Sequence, residues 1–218
     1  RDCLLSRGLG DVYKRQVFSG HDKERNLETL IDFSTFNLAG VICLYHDFAG
    51  AYDMFLDKHS LFRKILFLDP RDFAAPVSGV SIDYAQGIRS AVRHLAEQGR
   101  KRIGIFQRDL EFTGMKERFR GYQEGLNDIG VGYEPELSFI HADYIELRDK
   151  VNLAIDALIV RGRADAVIVG NDEWAVLMMK EMARRGISIP GDVAILGFAN
   201  YDKLCLACTP ELSAVEYD

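Results

Sequence analysis

The strongest constraint on the fold of this chain is an alternation of short apolar runs with longer amphipathic segments. "VSID" precedes "YAQGIRSAVRHLAEQG", "RIGIFQ" precedes "GMKERFRGYQEGLNDIG", "ELSFIHA" precedes "ELRDKVNLAIDALIVRG", and "ADAVIVGND" precedes "EWAVLMMKEMARRG", with "DVAILGFAN" closing the series. The short runs are apolar at successive positions, which predicts strands covered on both faces. The longer segments repeat their apolar residues at helical spacing, as at Ile88, Val92 and Leu95, and Gly99 and Gly130 stand where helix C-terminal caps belong. Upstream, "ERNLETLIDFSTFN" and "YDMFLDKHSLF" predict helices, "GVICLY" and "KILFLD" strands, and "RDFAAPVSG" a loop. Strand, helix, strand repeats of this kind define an α/β fold with one or two open parallel sheets.

In such folds ligands bind beyond the carboxyl ends of the strands, where loops converge and helix N-termini present unpaired N–H groups. The residues at those ends are Asp69, Asp83, Gln107, Arg108, Asp143, Tyr144, Asn171, Asp172, Ala199 and Asn200. Most are polar or aromatic, and they form a binding rim rather than a catalytic triad. For Asp69 and Asp83 the residues leave two readings open, contact with a ligand or capping of the next helix, and capping is the blander. Asp172 has the same pair of readings.

The chain has 218 residues and is 48% hydrophobic, enough for a sizeable core. Every apolar run is broken long before the roughly 18 residues a membrane-spanning helix needs. A net charge of −6 gives the chain no general attraction for nucleic acid. Cys3, Cys43, Cys205 and Cys208 have unrelated spacings, which predicts a reducing, cytoplasmic setting rather than a disulfide framework. "CLAC" has no second pair to complete a zinc site, and no metal or cofactor is expected. Phosphate loops, dinucleotide fingerprints, zincin motifs and nucleophile elbows are all missing from the sequence. The histidines are scattered without partners, so no catalytic residue is assigned and the chain is not expected to be an enzyme.

Residues 1–16, "RDCLLSRGLGDVYKRQ", show neither periodicity, and one back-translation of "DVYKRQ" reproduces a transposon end used in sequencing adapters. They are expected to be non-native and are set aside.

From about Val17 to its end the chain resembles, in register, the effector-binding core of the lactose-repressor and galactose-repressor family of bacterial transcription regulators. That core shares its fold with periplasmic sugar-binding proteins. The resemblance is carried by "VSIDYAQGIRSAVRHLAEQGRKRIGIF", "RFRGYQEGLNDIG", "ADAVIVGNDEWAVLMMKEMARRGISIPGDVAILGF" and "TPELSAV". It implies two Rossmann-like lobes, 17–82 and 83–209, with 210–218 crossing back to the first lobe, and a ligand between them. It also implies that the DNA-binding helix-turn-helix precedes this chain and that a final helix and strand follow it.

Carried over by position, Arg118 in "RFRGY" is similar to the family arginine that reaches ligand oxygens, a role suited to a guanidinium fork. Tyr144 resembles the aromatic that stacks on an apolar ligand face. Asn171 and Asp172 of "GND" and the rim residues Asp69 and Asp83 resemble further contacts. Many family members place an aspartate directly after "G-[FY]", where this chain has Ala199, so Asn200 or Asp202 would have to supply the acceptor. The resemblance implies a small-molecule effector, a sugar or related metabolite. It also implies a homodimer with "AVLMMKEMARRGISIP" as candidate interface, and operator DNA reached only through the helix-turn-helix. A periplasmic receptor feeding a transporter is the alternative.

Overall fold

The computed structural model describes residues 6–7, 13–14, 28, 32, 39–43, 65–68, 78–110, 113–141 and 145–216. The chain divides into two compact units, Arg1–Ile82 and Asp83–Asp218.

In the first unit, β1 (Ser6–Arg7) pairs antiparallel with β2 (Tyr13–Lys14), inside the segment set aside above. Strands β3 (Val41–Cys43), β4 (Ile65–Leu68) and β5 (Gly79–Val80) form a parallel sheet in the order β3-β4-β5. Ile65 and Phe67 are buried and Leu66 between them is exposed, so β4 has one covered face where the apolar run predicted two.

The second unit follows the predicted alternation closely. Its elements are α1 (Tyr84–Glu97), β6 (Ile103–Arg108), α2 (Thr113–Asp128), β7 (Ser138–His141) and α3 (Leu147–Ala154), followed by β8 (Ala166–Val169), α4 (Asp172–Arg184), β9 (Ala194–Phe198), α5 (Asp202–Cys205) and β10 (Ser213–Val215). The five strands are all parallel, in the order β10-β9-β8-β6-β7.

The sheet is covered on both faces, as its continuous apolar runs require. On one face Ile88, Val92 and Leu95 of α1 and Tyr122 and Leu126 of α2 pack on Ile103, Ile105, Ile168 and Leu196. On the other, Val151, Ile155, Met178 and Met182 pack on Phe106, Val167 and Ile195. Helices α1 and α2 approach so closely that a Cβ on Gly121 would lie 2.2 Å from the carbonyl oxygen of Ala85, and one on Gly125 would lie 2.8 Å from Val92 Cβ.

One expectation is corrected here. The helix predicted over "ELRDKVNLAIDALIVRG" is α only through Ala154 and continues as a π-helix, Ile155–Arg161. Ile155 and Leu158 are thereby both fully buried. Within segment 210–218, Ser213–Val215 form β10 and pair with Leu196–Phe198. Leu212 and Ala214 there join the α3/α4 face of the core. In "AVLMMKEMARRGISIP", the candidate interface, Val176, Leu177, Ile187 and Ile189 are partly buried against this core. The exposed large apolar side chains of this unit lie elsewhere, among them Leu206 at 65% and Tyr201 at 57% exposure.

Candidate functional site

The strand order places the chain reversal of the second unit between β6 and β8, because β7 follows β6 on one side and β8 returns on the other. Beyond the carboxyl ends of two such strands the following loops part in opposite directions and leave a crevice. Gln107 stands at the end of β6, and Gly170, Asn171 and Asp172 follow β8. Of the sequence-predicted site residues, Asn171 and Asp172 stand at these strand ends.

Arg118 reaches these strand ends from α2. It is 9% exposed. Its guanidinium carbon lies 3.9 Å from the centre of the Phe198 ring and 4.8 Å from that of Tyr84. Its Nη1 donates to the carbonyl oxygen of Gly170 at 2.6 Å. Guanidinium planes lie well on aromatic faces, and a desolvated cation–π contact is worth about 2 kcal/mol. Arg118 thus binds together the start of α1, the end of β9 and the end of β8. Gly114 makes room for this assembly, since a Cβ there would come within 3.1 Å of the Tyr84 ring.

Gln107 is fully buried, donates from Nε2 to the carbonyl oxygen of Met115 at 3.1 Å, and keeps its Oε1 without a hydrogen-bond partner among the described residues. Its Cα and Cβ flank Gly170 so tightly that a Cβ on Gly170 would approach Gln107 Cβ to 2.9 Å.

The "ND" pair of α4 divides into distinct tasks. Asn171 is half-buried in extended backbone, and its side-chain oxygen caps α4 by accepting from the Trp174 N–H at 2.8 Å. This is ordinary N-cap chemistry and leaves the amide NH2 for other partners. Asp172 is 0% exposed, and its Oδ2 accepts from the Tyr201 N–H at 2.8 Å. Asp83 is exposed and accepts from the Gln86 N–H at 3.0 Å, so it caps α1. Capping accounts for both Asn171 and Asp83 locally.

Ala199 and Asn200 form the turn leaving β9, with φ of 115° and 56°. Two successive non-glycine residues in this region cost on the order of 1–3 kcal/mol each, and such strain concentrates at functional positions. The Ala199 N–H donates to the Val215 carbonyl at 2.9 Å, tying the turn to β10. Asp69 and Tyr144, also predicted as site residues, lie outside the described residues.

Sequence reasoning missed Tyr84 and Phe198, which frame the guanidinium, and Gly170, whose carbonyl accepts from it. Phe198 ends an apolar run and reads as core. Only the glycine-to-aromatic step "GF" immediately before the turn hinted at a second use. In "CLAC", Cys205 is buried and the Cys208 Sγ donates to the Leu204 carbonyl at 3.3 Å. Burial pushes the Cys208 thiol above its ordinary pKa, which favours an unreactive thiol. Among the described residues no group of three or more His, Cys, Asp or Glu side chains is placed to hold a metal ion, and no helix is long and apolar enough to cross a membrane.

Comparison with known proteins gives the lineage. A model described as "periplasmic binding protein-like domain" matches residues 92–218. The chain belongs to that family. Its sequence relatives are lactose-repressor and galactose-repressor type regulators. The NTD biosynthesis operon regulator of Bacillus subtilis is 26% identical over 209 residues, covering 94% of this chain and 60% of that protein. The ribose operon repressor of the same organism is 26% identical over 200 residues, covering 89% of this chain and 58% of that protein. The chain thus spans about three fifths of the length of these relatives. Among solved structures, a LacI-family sugar-binding transcriptional regulator from Escherichia coli, in complex with phosphate, superposes with a TM-score of 0.75 at 21% identity, covering 88% of this chain and 68% of that one. This likeness agrees with the α/β architecture of parallel sheets.

Proposed function

We propose that this chain is the effector-binding part of a bacterial transcription regulator of the lactose-repressor and galactose-repressor type, and that it binds a sugar or sugar-like metabolite and catalyses no reaction. The single observation that carries this reading is Arg118, buried on the Phe198 and Tyr84 rings and bonded to Gly170 at the strand reversal. A cation so fixed loses little side-chain freedom when it grips an oxygen-rich ligand. Asn171 and Asn200, at the same strand ends, would add adaptable amide contacts. Asp69 and Tyr144 would complete the contacts by analogy with the family, and Asp83 would contribute from the start of α1. Ala199 removes the acceptor many relatives have after β9, so the ligand's hydroxyl pattern on that side differs from that of a hexose held in their way.

In this reading the molecule acts as a cytoplasmic homodimer, and its grip on operator DNA comes from a helix-turn-helix outside the present sequence. Effector binding would favour one arrangement of the lobes over another by its difference in affinity for the two. That the sequence relatives are regulators favours this account over a transporter's receptor.

The test is isothermal calorimetry on the complete reading frame with a panel of aldoses, aldonic acids and nucleosides. A panel member is expected to bind, and Arg118→Met is expected to weaken it roughly 10- to 150-fold, the loss of a hydrogen bond to a charged group. Arg118→Lys should recover only part of the affinity, since an ammonium lacks the planar fork. Unchanged affinity in Arg118→Met would remove the basis of this reading.

A further inference from the structure

We infer that Asp172 is a positioning residue: its buried carboxylate holds the Ala199–Tyr201 turn in place and so determines from helix α4 which side chains β9 offers to a ligand. The inference rests on the effector-site reading for the word ligand, but the strut itself is argued from geometry alone.

A residue with 0% exposure presents no surface to a dissolved molecule, so the family-like reading of Asp172 as a ligand contact is not its use in this arrangement. Its Oδ2 reaches across to the Tyr201 N–H at 2.8 Å. Hydrogen bonds to carboxylates are among the strong ones. The acceptor grips the residue immediately after Ala199 and Asn200, the pair with φ of 115° and 56°. Backbone in that region persists only where its surroundings over-determine it. Here the turn is held at its start by Ala199 N–H to Val215, at its end by Asp172, and beyond by the Leu204 and Cys205 N–H groups on the Tyr201 carbonyl. Of these, only the Asp172 bond comes from a side chain.

The other carboxylate oxygen reinforces the argument. Oδ1 has no hydrogen-bond partner among the described residues and faces the Cα of Gly197, where an added Cβ would lie 2.2 Å away, with Leu212 on the same side. A buried polar atom left unpaired is costly, so stability alone is a poor reason to place an aspartate here. Gly197 leaves the carboxylate room to reach Tyr201, and Asp172 spans the gap from α4 to the turn. Ala199 and Asn200 are then aimed by a residue that stays out of the crevice.

Hydrogen-exchange mass spectrometry on the complete chain tests this without any ligand. Asp172→Ala is expected to speed exchange of the 199–205 amides by about tenfold or more, the scale of losing one hydrogen bond to a charged group. Exchange in β8 and in the body of α4 should stay as slow as before. Asp172→Asn keeps an acceptor for Tyr201 and should restore most of the protection, which a role in bulk stability would not predict. Gly197→Ala, which presses on the carboxylate from the opposite side, should loosen the same turn. Turn amides as slow in Asp172→Ala as in the wild type, or β8 amides that accelerate equally, would overturn the inference. Binding is read separately: if the wild type binds none of the sugars, sugar acids or nucleosides, the effector reading fails while the exchange result still decides the strut. If one binds, Asp172→Ala should weaken it and Asp172→Asn should not.

Discussion

Tyr122 shows how much one buried oxygen can fix. Its ring is fully buried in the face formed by α1 and α2, and its hydroxyl donates to the Ile103 carbonyl at 2.7 Å. Burial, with smaller contributions from Tyr133 and Glu134, holds this phenol well above its ordinary pKa of 10.0. The folded pKa is the raised one, so the stabilisation is whole below about pH 10, where an unfolded tyrosine begins to ionise, and is lost as pH rises towards the folded value. Chemical denaturation of Tyr122→Phe should show a loss of about 1–3 kcal/mol at neutral pH, with a shallower decline above pH 10 than the wild type. Arg118 was legible at this scale because a charged residue three places before a helix glycine matched a family pattern. Its aromatic bed was not legible. Tyr84 and Phe198 are joined to it only by the fold, and ring-to-cation contacts leave no periodic mark in a sequence.

At the scale of elements, the helices and strands of the second unit could be read because each apolar run has a single secondary-structure period. The α2 glycines show what that period conceals. Gly121 and Gly125 look like weak points in a helix, yet they allow α1 to pack against it, with Ala85 and Val92 filling the space a side chain would need. Gly121→Ala, which would improve helix propensity on an exposed surface, is expected to destabilise by about 1–3 kcal/mol through overpacking. A rise in the urea midpoint would contradict the tight contact. The π-turn Ile155–Arg161 was not legible, because its spacing departs from the α period only within a few residues. The pairing of β10 with β9 was not legible either, since a three-residue strand is too short to carry a period of its own.

At the scale of the molecule, the proposed effector site should be visible in the stability of the whole chain. An effector at 100-fold excess over its dissociation constant should add about 2.7 kcal/mol to the stability of the state that binds it. A heat-unfolding midpoint that rises with ligand in the wild type, and rises by about half as much or less at the same concentration in Arg118→Met, is the expected pattern. The strand order also governs how the unit comes into being. β6, between β8 and the edge strand β7, pairs with β8 through Ile103 and Ala166, residues separated by α2, β7, α3 and the π-helix. Closing so long a loop is slow because chain entropy must be surrendered before the pairing repays it. During synthesis, one edge of β6 therefore stays open until the ribosome has released Ala166–Val169, and a nascent chain stalled before that point offers an apolar margin to chaperones or to its neighbours.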